Sequence, residues 1–348
     1  MYQEKYIKYK TKYSNLKKNE KITKIYIDIE SKQDYLSTVI TNDNLKLVPV
    51  VSKSDKILRF NFPEISIASV QYDEGPCGST YIRFNVDNAR YYMDPRGGAV
   101  TTYASDETRS DQRQIRGICF SGGSILGLEA KSGCVIEEMK KNNYTNHGKC
   151  NVTGATLRSA NLNYNYIYPD KNLGRFAVNN LIPDPFTTTS KSNDPKLQEN
   201  FVYLGQVGVG CMAGNGYYGQ GASFTEYNGI KIFVLTGVNA LGAIYNEKGE
   251  LLRDRWLLTN EKSPYILDQN TTLTAVITDL VLSPIELHQL AIQCHTNMAV
   301  VIRPFHTIGD GDVLFTVSLN KIKKKDINIL EFYDVCSQCT KNAVLSCL

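Results

Sequence analysis

The chain has 348 residues, of which 42% are hydrophobic and 21% charged, enough apolar side chains to bury a sizeable core and too many for a disordered chain. It carries no run of 18 apolar residues, and its opening MYQEKYIKYK lacks the apolar stretch of a secretory leader, so no transmembrane segment or export by that route is expected. The net charge is +4, but residues 1–24 hold eight Lys against two Glu and carry +6, which leaves −2 on the rest and gives no reason to expect a specific nucleic-acid partner.

In chain order, Tyr2, Tyr6, Tyr9 and Tyr13 come first, spaced four, three and four apart and continued by Leu16, with Lys5, Lys8 and Lys12 around them. The spacing predicts a helical stripe in a basic tail, residues 1–24. The tail either docks its tyrosines on the body or attaches to an acidic surface, such as that of a virion. The string KYIKYKTKYSNLKK resembles the Lys/Tyr-rich opening of many proteins of giant DNA viruses of amoebae. Residues 25–62 alternate apolar and polar side chains in short runs, as in Ile25-Tyr26-Ile27-Asp28-Ile29, and read as N-terminal strands and a linker.

From about residue 63 to 320 the texture is Gly-rich turns between apolar runs, the main domain, followed by a Lys- and Cys-containing extension at 321–348. A helix is expected from Ser124 to Lys140-Lys141, whose cations suit the negative end of the helix dipole. Residues 142–175 are Asn- and Tyr-rich with weak periodicity, and 187–200 read as an exposed loop. Residues 229–238, 270–279 and 298–304 read as buried strands. A second helix starts at Ser283 with Pro284 in its first turn and Glu286 three residues after the cap, a capping box. Its apolar face is Leu287, Leu290, Ala291, Cys294 and Met298, which leaves His288 and His295 as surface residues. Helices and strands interleave with hairpin-length connections, which predicts an α+β fold with mixed or antiparallel sheets covered by helices.

Nine cysteines are scattered in a chain without a leader, which suggests reduced thiols in a cytoplasmic compartment. Cys336-Ser337-Gln338-Cys339 lacks a second CxxC or a nearby His, so plain thiols are expected there and no metal. The GVGCMAGNG stretch lacks the GK[ST] of a nucleotide-binding loop, and no cofactor is expected.

Several segments carry a resemblance in fixed order: Arg96-Gly97-Gly98-Ala99, Gly122-Gly123-Ser124 through Ala130, Gly205-Gln206-Val207-Gly208-Val209-Gly210, Val238-Asn239-Ala240-Leu241-Gly242, Asn270-Thr271-Thr272 with Val276-Ile277-Thr278-Asp279, and Arg303-Pro304-Phe305-His306-Thr307 with Asp310-Gly311-Asp312. Together they resemble the N-terminal-nucleophile hydrolases that include L-aminopeptidase/D-esterase, β-peptidyl aminopeptidases and the nylon-oligomer hydrolase. The resemblance implies a four-layer αββα sandwich, a homo-oligomer, a peptide or small amide substrate, and a precursor that cuts itself before a Ser or Thr. By position Thr271 is then the nucleophile and Asn270-Thr271 the scissile bond. Thr272 is the rival, but strand alternation turns its side chain to the other face. A threonine hydroxyl is a poor nucleophile without a base, and the freed α-amino group, with a pKa near 8, would supply one.

The same resemblance makes Asn239 the oxyanion-stabilising amide and Asp310 and Asp312 the acidic pair that orients the nucleophile. The family's active-site lysine, in its Lys-Gly-Gly-x-Gly segment, is replaced here: the aligned stretch is Tyr217-Tyr218-Gly219-Gln220-Gly221, so Tyr217 stands in the lysine position. A phenol donates a hydrogen bond but carries no charge at neutral pH. The family's early Gly-His is also missing, with Ile67-Ala68-Ser69 in its place. A self-cleaving amidohydrolase or aminopeptidase is expected, with a catalytically impaired relative of structural or virion-associated role as the alternative.

Overall fold

The structure is a computed structural model that describes residues 39–104, 114–144, 150–163, 165–186, 200–254, 270–323 and 327–348. The basic tail, the strands expected at 25–29 and nearly all of the loop expected at 187–200 lie outside these residues.

The first sheet grows from β3 (Ile65–Tyr72) and β4 (Cys77–Phe84), paired antiparallel, with the short β1 (Pro49–Val51) on the outer edge of β3. On the other side follow β7 (Gly117–Ser121), then β8 (Val152–Thr156) parallel to β7, then β6 (Thr102–Tyr103). The segment 142–175, read as weakly periodic, holds β8 and much of a helix. That helix, Lys171–Asn179, is capped by Asp170, whose carboxylate accepts the Leu173 N–H at 2.9 Å.

The second sheet runs β10 (Gln220–Tyr227), β11 (Ile230–Asn239), β14 (Thr271–Leu280), β16 (Val313–Ile322) and β5 (Arg90–Pro95), antiparallel except for the parallel β14–β16 pair. Two small sheets complete the strands of the described residues: β2 (Ile57–Phe60) with β9 (Asn200–Tyr203), and β12 (Ala243–Tyr245) between β13 (Leu251–Arg253) and β15 (Ile302–Arg303). The α-helices among the described residues are α1 (Glu129–Lys141), the Asp170-capped α2 (Lys171–Asn179), α3 (Pro284–Met298) and α4 (Ile329–Leu345).

Three hydrophobic clusters fill three interlayer spaces, which makes the architecture αββα. Ala130, Cys134, Leu173 and Ala177 of α1 and α2 pack on Val70, Tyr81 and Cys119 of the first sheet. Ile82, Phe120, Phe233, Leu273, Phe315 and their neighbours fill the space between the sheets. Leu287, Leu290 and Cys294 of α3 and Phe332, Cys336 and Val344 of α4 pack on Ile232, Val276 and Leu314 of the second sheet. The helix α4 of the extension expected at 321–348 is thus built into the outer layer, with Cys336 and Cys339 buried in it.

The capping box at Ser283 forms as expected, with Glu286 answering the Ser283 N–H at 2.8 Å. Three expectations need correction. The helix expected from Ser124 begins as a 3-10 turn over Ser124–Leu128, because Gly123 and Ser124 have φ of 81° and 54° and cannot enter an α-helix directly; α1 proper starts at Glu129. The strand expected at 298–304 shrinks to Ile302–Arg303, because α3 runs through Met298 and Ala299–Val301 turn back on it through N–H groups bonded to Thr296, Asn297 and Met298 carbonyls. His295 is fully buried rather than on the surface, because β5 packs over α3 and Asp94 takes its Nδ1 at 3.1 Å. His288 is partly buried, stacked on Tyr92 at 4.4 Å.

Candidate active site

Along β14 the odd positions Leu273, Ala275 and Ile277 belong to the core between the sheets, whereas Val276 and Leu280 belong to the core under α3 and α4. Thr271 shares the first parity and Thr272 the second, as alternation requires. On the neighbouring strand Asn239 shares parity with Phe233 and Leu235 and is the register partner of Thr271. The two therefore stand side by side at one end of the intersheet space, 3% and 4% exposed.

The Thr271 hydroxyl donates to the carbonyl oxygen of Asn270 at 2.6 Å. That oxygen also accepts the Gly311 N–H at 2.6 Å, while the Asn270 N–H donates to Gly309 O at 3.2 Å. The peptide group before Thr271 is thereby clamped against the 309–311 loop, with its carbonyl polarised by a main-chain donor. Gly311 has to be glycine here: a β-carbon would sit 2.6 Å from Thr271 Oγ1. The sequence offers Asp310-Gly311-Asp312 as two acids around a turn; the contribution of the glycine N–H is not visible in it.

Asp312 is buried and bridges two segments. Its Oδ1 accepts the Thr272 N–H at 2.7 Å, and its Oδ2 accepts the His306 N–H at 3.0 Å and faces His306 Nδ1 at 3.1 Å. His306 has φ of 60°, a left-handed conformation that costs of order 1–3 kcal/mol in a non-glycine residue, and this double contact to Asp312 holds it there. The His306 ring meets the His295 ring edge-on at 4.3 Å, so a polar row runs Asp94, His295, His306, Asp312, Thr272 N–H. Arg96 closes its outer end, 2.7 Å from Asp94 and donating to Ile292 O and Thr296 Oγ1 of α3.

Asp310 accepts the Thr307 N–H at 2.9 Å and hydroxyl at 2.7 Å through Oδ2. Burial pushes its carboxyl above the usual range, and the neighbouring Asp312 charge adds to that. Asn239 Oδ1 accepts the Gly214 N–H at 2.8 Å, which fixes the amide so that its NH2 is the end presented elsewhere. Tyr217 closes the same tight turn, its N–H bonded to Gly214 O at 3.0 Å and its carbonyl accepting Arg253 Nη1 at 2.8 Å. An arginine is therefore anchored beside the position where the resemblance expects a lysine.

The glycine motif Arg96-Gly97-Gly98-Ala99 wraps this loop. Arg96 and Gly97 N–H donate to Asp312 O, and Ala99 N–H donates to Asp310 O at 2.8 Å. A β-carbon on Gly97 would lie 2.2 Å from Asp310 O. Segments from residues 96, 214, 239, 271, 306 and 312 thus converge, whereas Gly122–Ala130 serves the opening of α1. Among the described residues no group of three or more His, Cys, Asp and Glu could hold a metal ion, and no helix is long and apolar enough to cross a membrane.

With this geometry in view, the profile of Peptidase family S58 matches residues 188–348, the stretch that contains β9 to β16 with α3 and α4. The 6-aminohexanoate-oligomer endohydrolase of Agromyces sp. is 30% identical over 308 residues, which span 81% of this chain and 80% of that protein. Among solved structures, the β-aminopeptidase of a Burkholderia species superposes with a TM-score of 0.58 at 11% identity, over 85% of this chain and 89% of its own. The L-aminopeptidase D-Ala-esterase/amidase of Ochrobactrum anthropi, a variant of the N-terminal-nucleophile hydrolase fold, gives 0.56 at 13% identity, over 85% and 88%. The chain has that fold, belongs to peptidase family S58, and is a peptidase or amidohydrolase.

Proposed function

We propose that this member of peptidase family S58 cuts its own chain between Asn270 and Thr271 and then hydrolyses amide bonds with Thr271 as nucleophile. The observation that carries this reading is the Asn270 carbonyl, whose oxygen holds the Thr271 hydroxyl and the Gly311 N–H, each at 2.6 Å. The hydroxyl oxygen attacks the Asn270 carbonyl carbon through a five-membered ring. Negative charge gathers on the carbonyl oxygen, where the Gly311 N–H already points and needs no reorganisation. The C–N bond breaks, the threonine nitrogen takes the proton, and water hydrolyses the resulting ester to free Asn270 as a carboxylate.

The freed Thr271 amine then acts as base for its own hydroxyl, with a pKa suited to neutral pH. Asn239, beside Thr271 in register and oriented by Gly214, supplies the amide donor for the oxyanion of an incoming substrate. Asp312 keeps the Thr272 N–H, and with it the start of β14, in place. Peptides and small amides are the substrate class that suits this chemistry. Relatives act on 6-aminohexanoate oligomers or are aminopeptidases, which supports amide rather than phosphate or glycoside chemistry.

Electrophoresis tests the reading. Cleavage after residue 270 of a 39.0 kDa chain gives pieces of roughly 30 and 9 kDa by residue share. Thr271→Ala stays a single band. A wild-type chain still intact after long incubation at neutral pH overturns the proposal.

A further inference from the structure

Thr271 sits between two clamped peptide groups. The one before it carries the Asn270 carbonyl and is held by the 309–311 loop. The one after it carries the Thr272 N–H and is held by Asp312 Oδ1 at 2.7 Å. The second peptide group is the one that stays with Thr271 after a cut before that residue.

This second grip is as fixed as the carboxyl that makes it. Asp312 is fully buried, and a turn about its Cβ–Cγ bond would swing Oδ1 off the Thr272 N–H. His306 opposes that turn with two donors on Oδ2, its main-chain N–H at 3.0 Å and its ring Nδ1 at 3.1 Å. A carboxylate only accepts, so the contact requires the proton of the imidazole to be on Nδ1.

The ring itself is packed in place. Phe305 stacks on it at 3.8 Å, and the His295 ring stands against it at 4.3 Å with the two planes 81° apart. His295 is fully buried, with Nδ1 on Asp94 at 3.1 Å. Asp94 takes Arg96 at 2.7 Å, and Arg96 reaches Ile292 O at 3.0 Å and Thr296 Oγ1 at 2.7 Å on α3. A run of contacts therefore ties a packed helix to the head of β14, as a precise site requires. The left-handed backbone of His306, φ 60°, fits this reading, because such strain persists where the surroundings over-determine it.

We infer that His306 is a positioning residue for Thr271: through Asp312 it fixes the peptide that follows the nucleophile, and His295 with Asp94 holds its ring to that task. The effect on cleavage rests on the reading of Thr271 given above; the clamp on Thr272 does not.

The full chain tests both. In the Thr271→Ala chain, His306→Leu, checked for a cooperative melt, speeds hydrogen exchange of the Thr272 amide on the order of tenfold. His306→Asn restores the protection, because its side-chain N–H stands where Nδ1–H stood. In the otherwise wild-type chain His306→Leu slows self-cleavage by roughly tenfold to a hundredfold, and His306→Asn recovers most of the rate. On an Asp312→Asn background His306→Leu adds no further slowing, since it acts through that carboxylate. Wild type gives a measurement that does not depend on any variant folding: the imidazole nitrogen NMR shifts of His306 place a proton on Nδ1 at neutral pH. A bare Nδ1, a folded His306→Leu that protects Thr272 as wild type does, an Asn variant no better than Leu, or full multiplication of the two slowings overturns the inference. A wild-type chain that never cuts overturns the nucleophile reading instead, and the exchange measurement still decides the clamp.

Discussion

Beneath α1 and at the head of β14 the molecule buries charge in two different ways. Under α1, Arg83 and the Tyr81 hydroxyl both close on Glu138 Oε1, and the set pins a helix to the first sheet. At the head of β14, Asp310 and Asp312 close on main-chain N–H groups of the loop and of the strand start, with the His306 ring on Asp312, and Asp310 Oδ1, Thr272 Oγ1 and His306 Nε2 are left without ordinary hydrogen-bond partners. One arrangement matches side chain to side chain across a packing interface. The other ties side chains to the main chain of a loop and a strand start; buried polar atoms are left over in both, Glu138 Oε2 under α1 among them. Polar burial that aims at the backbone distinguishes the end where the reaction is proposed.

The contrast can be broken most forcefully at Glu138. Glu138→Ala leaves Arg83 buried without its partner and should cost about 3–5 kcal/mol of stability. Denaturant melts should show that loss, while the folded fraction still yields the roughly 30 and 9 kDa pieces expected by residue share. If the folded fraction stops cutting, the two regions are not separable. Gly311→Ala is the reverse probe. Its β-carbon, 2.6 Å from Thr271 Oγ1, drives the hydroxyl off the scissile carbonyl. Self-cleavage should slow by on the order of a hundredfold or more, about 3 kcal/mol in the barrier, with a much smaller change in melting. Timed electrophoresis beside a thermal melt decides it.

A carboxylate at the far end of the same strand sharpens the contrast. Asp279 accepts the Lys231 N–H at 2.9 Å, and burial raises its pKa to about 6, with Glu64 adding to the shift. Between its unfolded value, about 4, and about 6 the unfolded chain releases a proton that the folded chain retains. Its contribution to stability is therefore complete below about pH 4 and lost as pH rises through 6, by on the order of 2 kcal/mol. Asp279→Asn should remove that decline, read as melting temperature against pH, and leave cleavage unchanged. The smallest effect is expected at Tyr217. Tyr217→Lys restores the charge that the resemblance expects and should raise amide turnover by roughly tenfold, about 1.4 kcal/mol. An unchanged rate would mean that Arg253, bonded to the Tyr217 carbonyl, already supplies that charge.

Much of the fold was legible because its signals are local. β-branched runs gave β11 and β14, Ser283 with Glu286 gave the start of α3, and alternation separated Thr271 from Thr272. What failed depended on partners distant in sequence. His295 looks exposed from the period of α3, since the strand that covers it, with Asp94, lies some two hundred residues earlier. Val300, Val301 and Ile302 favour a strand, but the end of α3 overrides that propensity for the first two. The candidate site residues rest on residue types in motifs. The donor role of Gly311 and the grip of Gly214 on Asn239 belong to main-chain atoms, which every residue carries and no sequence distinguishes.

The position of β14 has a consequence for the life history of the chain. Its head is a polypeptide junction, yet the strand is hydrogen-bonded to β11 on one side and β16 on the other, and α3 and α4 follow it. A cut before Thr271 therefore severs one covalent link and leaves a sheet and two cores shared between two polypeptides. After the proposed cut the pieces would be held together by that sheet and those cores, but folding would change molecularity. The uncut chain folds alone, once; the cut one, if ever unfolded, must find its other part in solution. Refolding yield should then rise with protein concentration for the cleaved protein and not for Thr271→Ala. The proposed chain break would work as a ratchet: the molecule would reach its working form through a fold that it could not easily reach again.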